Sequence, residues 1–379
     1  MLYNKEIFDK FLTEIEFASF SSGVSNIEEQ MVMIHNINHS ALFVEQLNGV
    51  VMSYNEVVKW GTPIFVRVFL SDAANQEKLV RDTLNSTSPI SIIEQPPLDG
   101  SKIAIWVYLQ SNVSLIEKES GLYLSEHNGY SHLWSADVAK GEIAGSQLQT
   151  EELLTRYSKE INKEGCTILN DTIRTWFFVQ NVDVNYAGVV VGRNNAFDKE
   201  GLVANTHFIT STGICGRVGD HNITTVMDAY SVKGLKEGQI QFLYAPTHLN
   251  STYEYGVRFE RGTAVHYGDR SHVFLSGTAS IDNKGDVLYI GDIVRQTERM
   301  LENVEVLLLE AKTTFENVAQ MIIYLRDISD YSVVRKIFEN RFAHIPKVFV
   351  LAPVCRPTWL IEMECIAIRE NRNEVYCEF

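Results

Sequence analysis

IFVRVFLSDAANQEKLVRDTL (64–84) and VAQMIIYLRDISDYSVVRKIF (318–338) are two copies of one pattern. Each reads as a strand ending in Leu-x-Asp with a helix behind it. A Pro-flanked strand, a Pro-containing connection and a final strand follow in both: SPISIIEQPPLDGSKIAIWVYL (88–109) and IPKVFVLAPVCRPTWLIEMECIAI (345–368). Asp72 and Asp327 stand at the strand-to-helix corners and are expected to cap the helices. Ahead of the second copy, HVFLSGTASI (272–281) reads as a strand with a Gly break. A helix is expected over roughly 292–311, where Met300, Leu301, Val304, Leu307, Leu308 and Ala311 share one face. The fold class is therefore α+β, with helices on one face of a mixed sheet.

The repeat divides the chain into an N-terminal domain over 1–146 and a C-terminal domain over 164–379. Residues 147–163 (QLQTEELLTRYSKEINK) are polar and helical in pattern, and read as the connector. The copies differ at one informative place. The closing strand Trp359–Ile368 carries Glu362 and Glu364, whereas the first copy offers Ala104 or Ile105 near Glu362. Apart from those two acids both faces of the closing strand are apolar, so it is covered on both sides. A carboxylate there costs several kcal/mol unless it is paired, hydrogen-bonded or protonated. A carboxylic acid protonated near neutral pH is what general-acid chemistry requires. Solvation at the strand's end or an arginine ion pair would be the structural alternatives.

The net charge of −15 argues against nucleic acid or an anionic membrane as the main partner. An anionic substrate would need a local cluster of arginines. Five cysteines, with no CxxC pair and no paired His, argue against disulfides and zinc. No signal-peptide pattern and no long apolar run occur, so a cytoplasmic location is expected. HxH, HExxH, Walker A and dinucleotide patterns are absent, and no metal or cofactor is assigned.

Five segments could carry chemistry: Arg174-Thr175-Trp176, opening a strand-like stretch to Asp183; Tyr186–Phe197, apolar and ending in Arg193 and two Asn; Ser211–Gly216; Ser276–Ser280; and Cys355-Arg356-Pro357. Small residues at strand ends let a ligand approach backbone N–H groups, and serve turns equally well. Arg193 and Arg356 are the preferred carboxylate clamps.

Residues 270–368, with FLSGTASI, GDIVRQTERMLENVEVLL, IYLRDISDY and LIEMECIAI, resemble the RidA/YjgF superfamily. The ordered motifs RTW (174–176), Tyr186 with VGRNNAF (191–197), STGI (211–214), SGTASI (276–281), Gly291 to Gln296, and VCRPTWLIEME (354–364) resemble its chorismatase branch. The resemblance implies two fused RidA/YjgF-like (chorismate mutase-like) domains, the first degenerate. A homotrimer is its expected assembly, with a monomer if the fusion replaces subunit contacts. It implies hydrolysis of chorismate or a related enolpyruvyl ether, a small anionic substrate, without a cofactor; the alternatives are an enamine or imine deaminase and a non-catalytic small-molecule-binding homologue. Glu362 would be the acid protonating the enolpyruvyl methylene, with Glu364 a neighbour or structural partner. Arg193, Arg356 and Tyr186 would bind the substrate. Cys355, Gly277, Thr278, Ala279, Thr212 and Gly213 would line the site. The product would be a dihydroxycyclohexadiene carboxylate or 3-hydroxybenzoate. RidA-type imine deaminases carry an arginine fifteen residues before the first glutamate, where this chain has Lys347. A lysine lacks the bidentate fork, which weighs against imine hydrolysis.

Overall fold

A computed structural model describes residues 1–118 and 121–379. The first unit comprises β1 (Leu2–Phe8), β2 (Thr13–Phe20), β3 (Glu29–Asn36), α1 (Phe43–Val57), β4 (Thr62–Leu70), α2 (Ala73–Thr83), β5 (Ile90–Glu94) and β6 (Ile103–Gln110). The second comprises β7 (Leu115–Glu117), β8 (Leu122–His127), β9 (Tyr130–Val138), α3 (Ser146–Lys163), α4 (Ile168–Asp171), β10 (Thr172–Val179), α5 (Val182–Glu200), β11 (Thr210–Cys215) and β12 (Thr225–Lys233). The third comprises β13 (Ile240–Leu243), β14 (Gly262–His266), β15 (Arg270–Ala279), α6 (Ile293–Glu310), β16 (Val318–Leu325), α7 (Tyr331–Phe342), β17 (Lys347–Leu351) and β18 (Ile361–Glu370).

Each unit forms a six-stranded sheet of one order: first, second, third, sixth, fourth, fifth. The fourth and fifth strands run parallel, joined through a helix as a parallel pair requires. The α+β class with mixed sheets stands, but the number of units is three. The division at 147–163 is corrected by the pairing itself. β9, from the proposed first domain, pairs along its length with β12 of the proposed second.

α3 is no free connector. Leu153, Leu154, Tyr157 and Ile161 are buried against the middle sheet, and α5 lies across the helix. Two glycines make that crossing close. A Cβ on Gly188 would lie 2.2 Å from Ser146 Oγ, and one on Gly192 2.3 Å from the Gln147 carbonyl oxygen. Burial is thus achieved by close backbone approach as well as by large apolar side chains, which is why the helix looks solvent-facing in sequence. The strand-like stretch to Asp183 stops at Val179, and Val182–Glu200 is helical. Asp327 accepts the Ser329 N–H at 2.8 Å as expected of a cap, on a short turn ahead of α7. Asp72 occupies the N-cap position without a capping bond of its own.

The three sheets turn one face toward a shared core and carry helices on the other. Phe65 meets Trp134 at 5.3 Å between ring centres, Trp134 meets Tyr230 at 4.2 Å, and Tyr230 meets Phe274 at 5.6 Å. These rings come from all three sheets, so the aromatic surface that one unit exposes is covered by its neighbours. Register aligns the units. Leu70, Val179 and Leu325 pair with Ile103, Thr225 and Ile361, the first residues of their partner strands. Counting on, Ala104 and Val226 stand where the third unit has Glu362, and Trp106 and Asp228 where it has Glu364. No helix among the described residues is long and apolar enough to cross a membrane.

Candidate active site

The two glutamates share a face of β18, yet their surroundings are opposite. Glu364 is 2% exposed and receives Arg174 Nη2 at 2.8 Å, Trp176 Nε1 at 2.8 Å and the Thr212 hydroxyl. Arg174 and Trp176 alternate on β10 and so reach the same carboxylate from one strand face. Such a donor set holds the negative charge in place. Glu362 is 5% exposed and has no hydrogen bond or ion pair among the described residues. Burial, then the charge of Glu364, pushes its carboxyl up to about 8, against the opposing pull of Arg174 and Arg261. One acid is therefore tied by three donors and the other, raised by its surroundings, is a carboxylic acid at neutral pH.

Glu362 opens on a cavity of about 450 Å³ between the second and third units. α5 contributes Tyr186, Val190 and Arg193, and β11 contributes Ser211 and Gly213. The third unit adds Gly277, Ala279, Cys355, Arg356 and Trp359. The β17–β18 connection is tied to β11 by the Ile214–Val354 bridge and the bond from Cys215 N–H to the Pro353 carbonyl at 3.1 Å. Arg326 joins the two units further, donating to Asp183 at 2.7 Å and to the Val354 carbonyl at 2.6 Å. These contacts bring Cys355 and Arg356 to the cavity wall.

Gly277 sits in an irregularity of β15, where its pairing with β18 shifts between Leu275 and Thr278. A Cβ there would fall 2.1 Å from Glu362 Oε1 and 2.7 Å from Cδ. The acid's carboxyl lies on the bare backbone of this glycine. Gly277→Ala is therefore expected to displace the carboxyl and lower turnover about 10²-fold, as an ångström-scale misplacement does. The melting temperature should move little, because a side-chain end yields rather than backbone. Paired kcat and thermal-melt measurements check this, and unchanged kcat would refute it.

Of the residues singled out in sequence, the cavity brings together Glu362, Arg193, Tyr186, Arg356, Cys355, Gly277, Ala279 and Gly213. Two lie elsewhere. Thr278 is buried on the other face and donates to the Ser276 carbonyl at 2.9 Å, following strand alternation. Thr212 is likewise outside the lining. Its hydroxyl donates to Glu364 and accepts the Gly277 N–H at 2.9 Å, so it links the anion to the glycine under the acid. Lys347 is far from this cavity in role. At the interface of the first and third units, its ammonium donates to the carbonyls of Phe342 at 3.0 Å and Ile345 at 2.9 Å.

Sequence reasoning missed Arg261, Val257 and Phe259, which come from the long β13–β14 connection. The Arg193 and Arg261 guanidinium carbons lie 6.0 and 5.4 Å from the Phe259 ring centre. Three arginines thus line one small cavity beside a neutral acid, in a chain of strongly negative net charge. The signal for Arg261 was an arginine directly before strand β14, which has no periodicity to mark it. Chemically the arrangement can hold carboxylates and deliver one proton.

The profile of the Endoribonuclease L-PSP family matches residues 261–369. A RutC family protein of Pyrococcus abyssi is 32% identical over 100 residues, covering 26% of this chain and 79% of that protein. The 3-aminoacrylate deaminase RutC of Acinetobacter baylyi is 29% identical over 97 residues, covering 25% of this chain and 77% of that enzyme. Among solved structures, a chorismatase superposes with a TM-score of 0.64 at 18% identity, covering 81% of this chain and 93% of that one. The third unit carries the sequence likeness, the three-unit architecture carries the structural one, and the chain belongs to the RutC family of the RidA/YjgF superfamily with a chorismatase-like fold.

Proposed function

We propose that this chain is a chorismatase-like hydrolase that releases pyruvate from chorismate or a related enolpyruvyl ether, with Glu362 as general acid. The observation that carries the reading is a buried carboxyl held up to about 8 on the wall of a cavity with three arginines. Arginine pairs with carboxylates bidentately, and the substrate class carries two of them. Glu362 gives its proton to the enolpyruvyl methylene carbon, leaving an oxocarbenium ion at the ether carbon. Water adds to that carbon and returns a proton to Glu362. The hemiketal then collapses, breaking the bond between the former ether carbon and the ring oxygen. Pyruvate and the ring alcohol leave, and the acid is restored.

The test is direct. Purified protein is mixed with chorismate and pyruvate is followed by lactate dehydrogenase coupling. Pyruvate is expected, and none from a folded protein would overturn the reading. The kinship with a deaminase favours a second reading, imine or enamine hydrolysis, for which turnover of 2-iminopropionate is the readout. Stabilisation by chorismate without turnover of either would point to a binding protein.

The pH dependence has a fixed sign. The acid form is present below about 8, so kcat/KM should be flat there and fall about tenfold per pH unit above it. An acid limb near 4.5 in place of this basic limb would remove Glu362 from the role.

We also propose the single chain as the working unit in place of a homotrimer. Three sheets of one chain already cover one another's inner faces. Sedimentation equilibrium should return the mass of one chain, and a threefold mass would restore the trimer.

A further inference from the structure

The first unit has no acid at the position of Glu362, but it reaches the site from behind. Arg67, on β4, is fully buried and points into the shared core. It donates to Asp228 Oδ2 of β12 through Nε at 3.2 Å and Nη2 at 2.7 Å. Its Nη1 lies 3.6 Å from Glu364 Oε1. The guanidinium is stacked among Phe65, Trp106, Trp176 and Phe178, with ring centres 4.9–5.5 Å from its carbon, and so has no room to turn. Two buried carboxyl groups therefore meet at one guanidinium: Arg67 touches both Asp228 and Glu364, while Arg174 donates to Glu364 alone. By register Asp228 and Glu364 are the same position in successive units, so the network is centred where the three sheets meet.

We propose that Arg67 and Glu364 are positioning residues: Arg67 bridges Asp228 and Glu364 behind the site, and so fixes Glu364 beside Glu362 on the same face of β18. The inference rests on the reading of Glu362 as proton donor. The groups facing Glu364 are Arg174 and Trp176 from β10, Thr212 from β11, Arg67 from β4 and Tyr324 from β16. Those acting on Glu362 are Glu364, Arg174 and Arg261, with Cys355 and Tyr324 beside it. Asp228 faces Arg67 and Ser91. Without Arg67, Asp228 would face Glu364 with no cation between them, and the two carboxyl groups would bind a proton between them. Glu362 would then lose part of the negative charge that raises it. Like carboxylates close together titrate as a pair, so removing one charge moves the other's transition by ~1 pH unit.

The experiment follows Glu362 itself, by ¹³C NMR of labelled glutamate carboxyls, with the resonance assigned by its loss in Glu362→Gln. Beside it runs the pH profile of pyruvate release. Glu364→Gln is isosteric and should move both transitions down by ~1 pH unit. Arg67→Met should move them in the same direction by less. Arg67→Met/Asp228→Asn leaves no lone buried charge, so it is the variant to read if the single change does not fold. With the Asp228 carboxyl gone, the Glu362 transition should return to the wild-type position. Unmoved transitions in Glu364→Gln, or a double variant that stays shifted, would overturn the proposal even if activity fell, since a purely structural role lowers kcat without moving the titration. Normal NMR shifts with no pyruvate from any form would instead overturn the assigned reaction alone.

Discussion

Glu362→Gln is expected to lower pyruvate release by about 10³-fold, the middle of the range for a lost general acid. The amide keeps the size and burial of the side chain but has no proton to give at carbon. Substrate affinity should persist, because the arginines that would hold the carboxylates are untouched. The loss should therefore fall on kcat, measured by the coupled pyruvate assay, with KM within a few-fold. Unchanged turnover would take Glu362 out of the chemistry.

The same substitution has a stability signature of opposite sign. The folded-state value of Glu362, about 8, lies above its unfolded one. The folded protein therefore binds the extra proton between the two values, and stability is lost as pH rises through that window. Glutamine removes the penalty. Glu362→Gln should be more stable than wild type at pH 9 by on the order of 5 kcal/mol, and about equal to it near pH 4. Urea titrations at both pH values would show this. A variant destabilised at pH 9 would mean that Glu362 is held as an anion after all.

Arg174→Met is the second large effect. Arg174 supplies the charge-assisted bond to Glu364 at 2.8 Å, and its guanidinium carbon lies 4.6 Å from the Trp176 ring centre. Methionine fills most of the volume but leaves a carboxylate that is 2% exposed with only a distant cation, Arg67, at 3.6 Å. Removing one partner of a buried pair costs ~3–5 kcal/mol, chiefly because the other charge stays buried. The urea midpoint should fall accordingly at pH 7 with the slope unchanged. The loss should shrink in Arg174→Met/Glu364→Gln, since the orphaned charge is then gone. Equal destabilisation by the single and double changes would assign the cost to packing.

Local pattern carried much of the architecture. The Leu-x-Asp corners marked β4 and β16, and the apolar spacing of Met300 to Ala311 marked α6, because both are set by alternation or helical period within one segment. The middle unit escaped for a physical reason. Its fourth strand ends in Val179-Gln180-Asn181 rather than Leu-x-Asp, and α5 follows with apolar residues on several sides and no single stripe. Its first three strands lie in the half of the chain that the repeat had assigned to another domain.

The candidate site divides along the same line. That β18 carries two acids in an apolar frame was legible in the sequence, as were Arg193, Arg356, Tyr186 and the small residues around Gly277. Which acid keeps its proton was a matter of chain-distant neighbours. Arg174, Trp176, Thr212 and Arg67 come from three other strands and converge on Glu364, while Gly277 leaves bare backbone under Glu362. A strand's alternation is written in its own residues, so sequence alone determined the strand, its faces and the presence of two carboxylates. Proton affinity depends on charges and burial summed over space, so only the packing of three sheets decided that one glutamate is bound by three donors and the other is an acid.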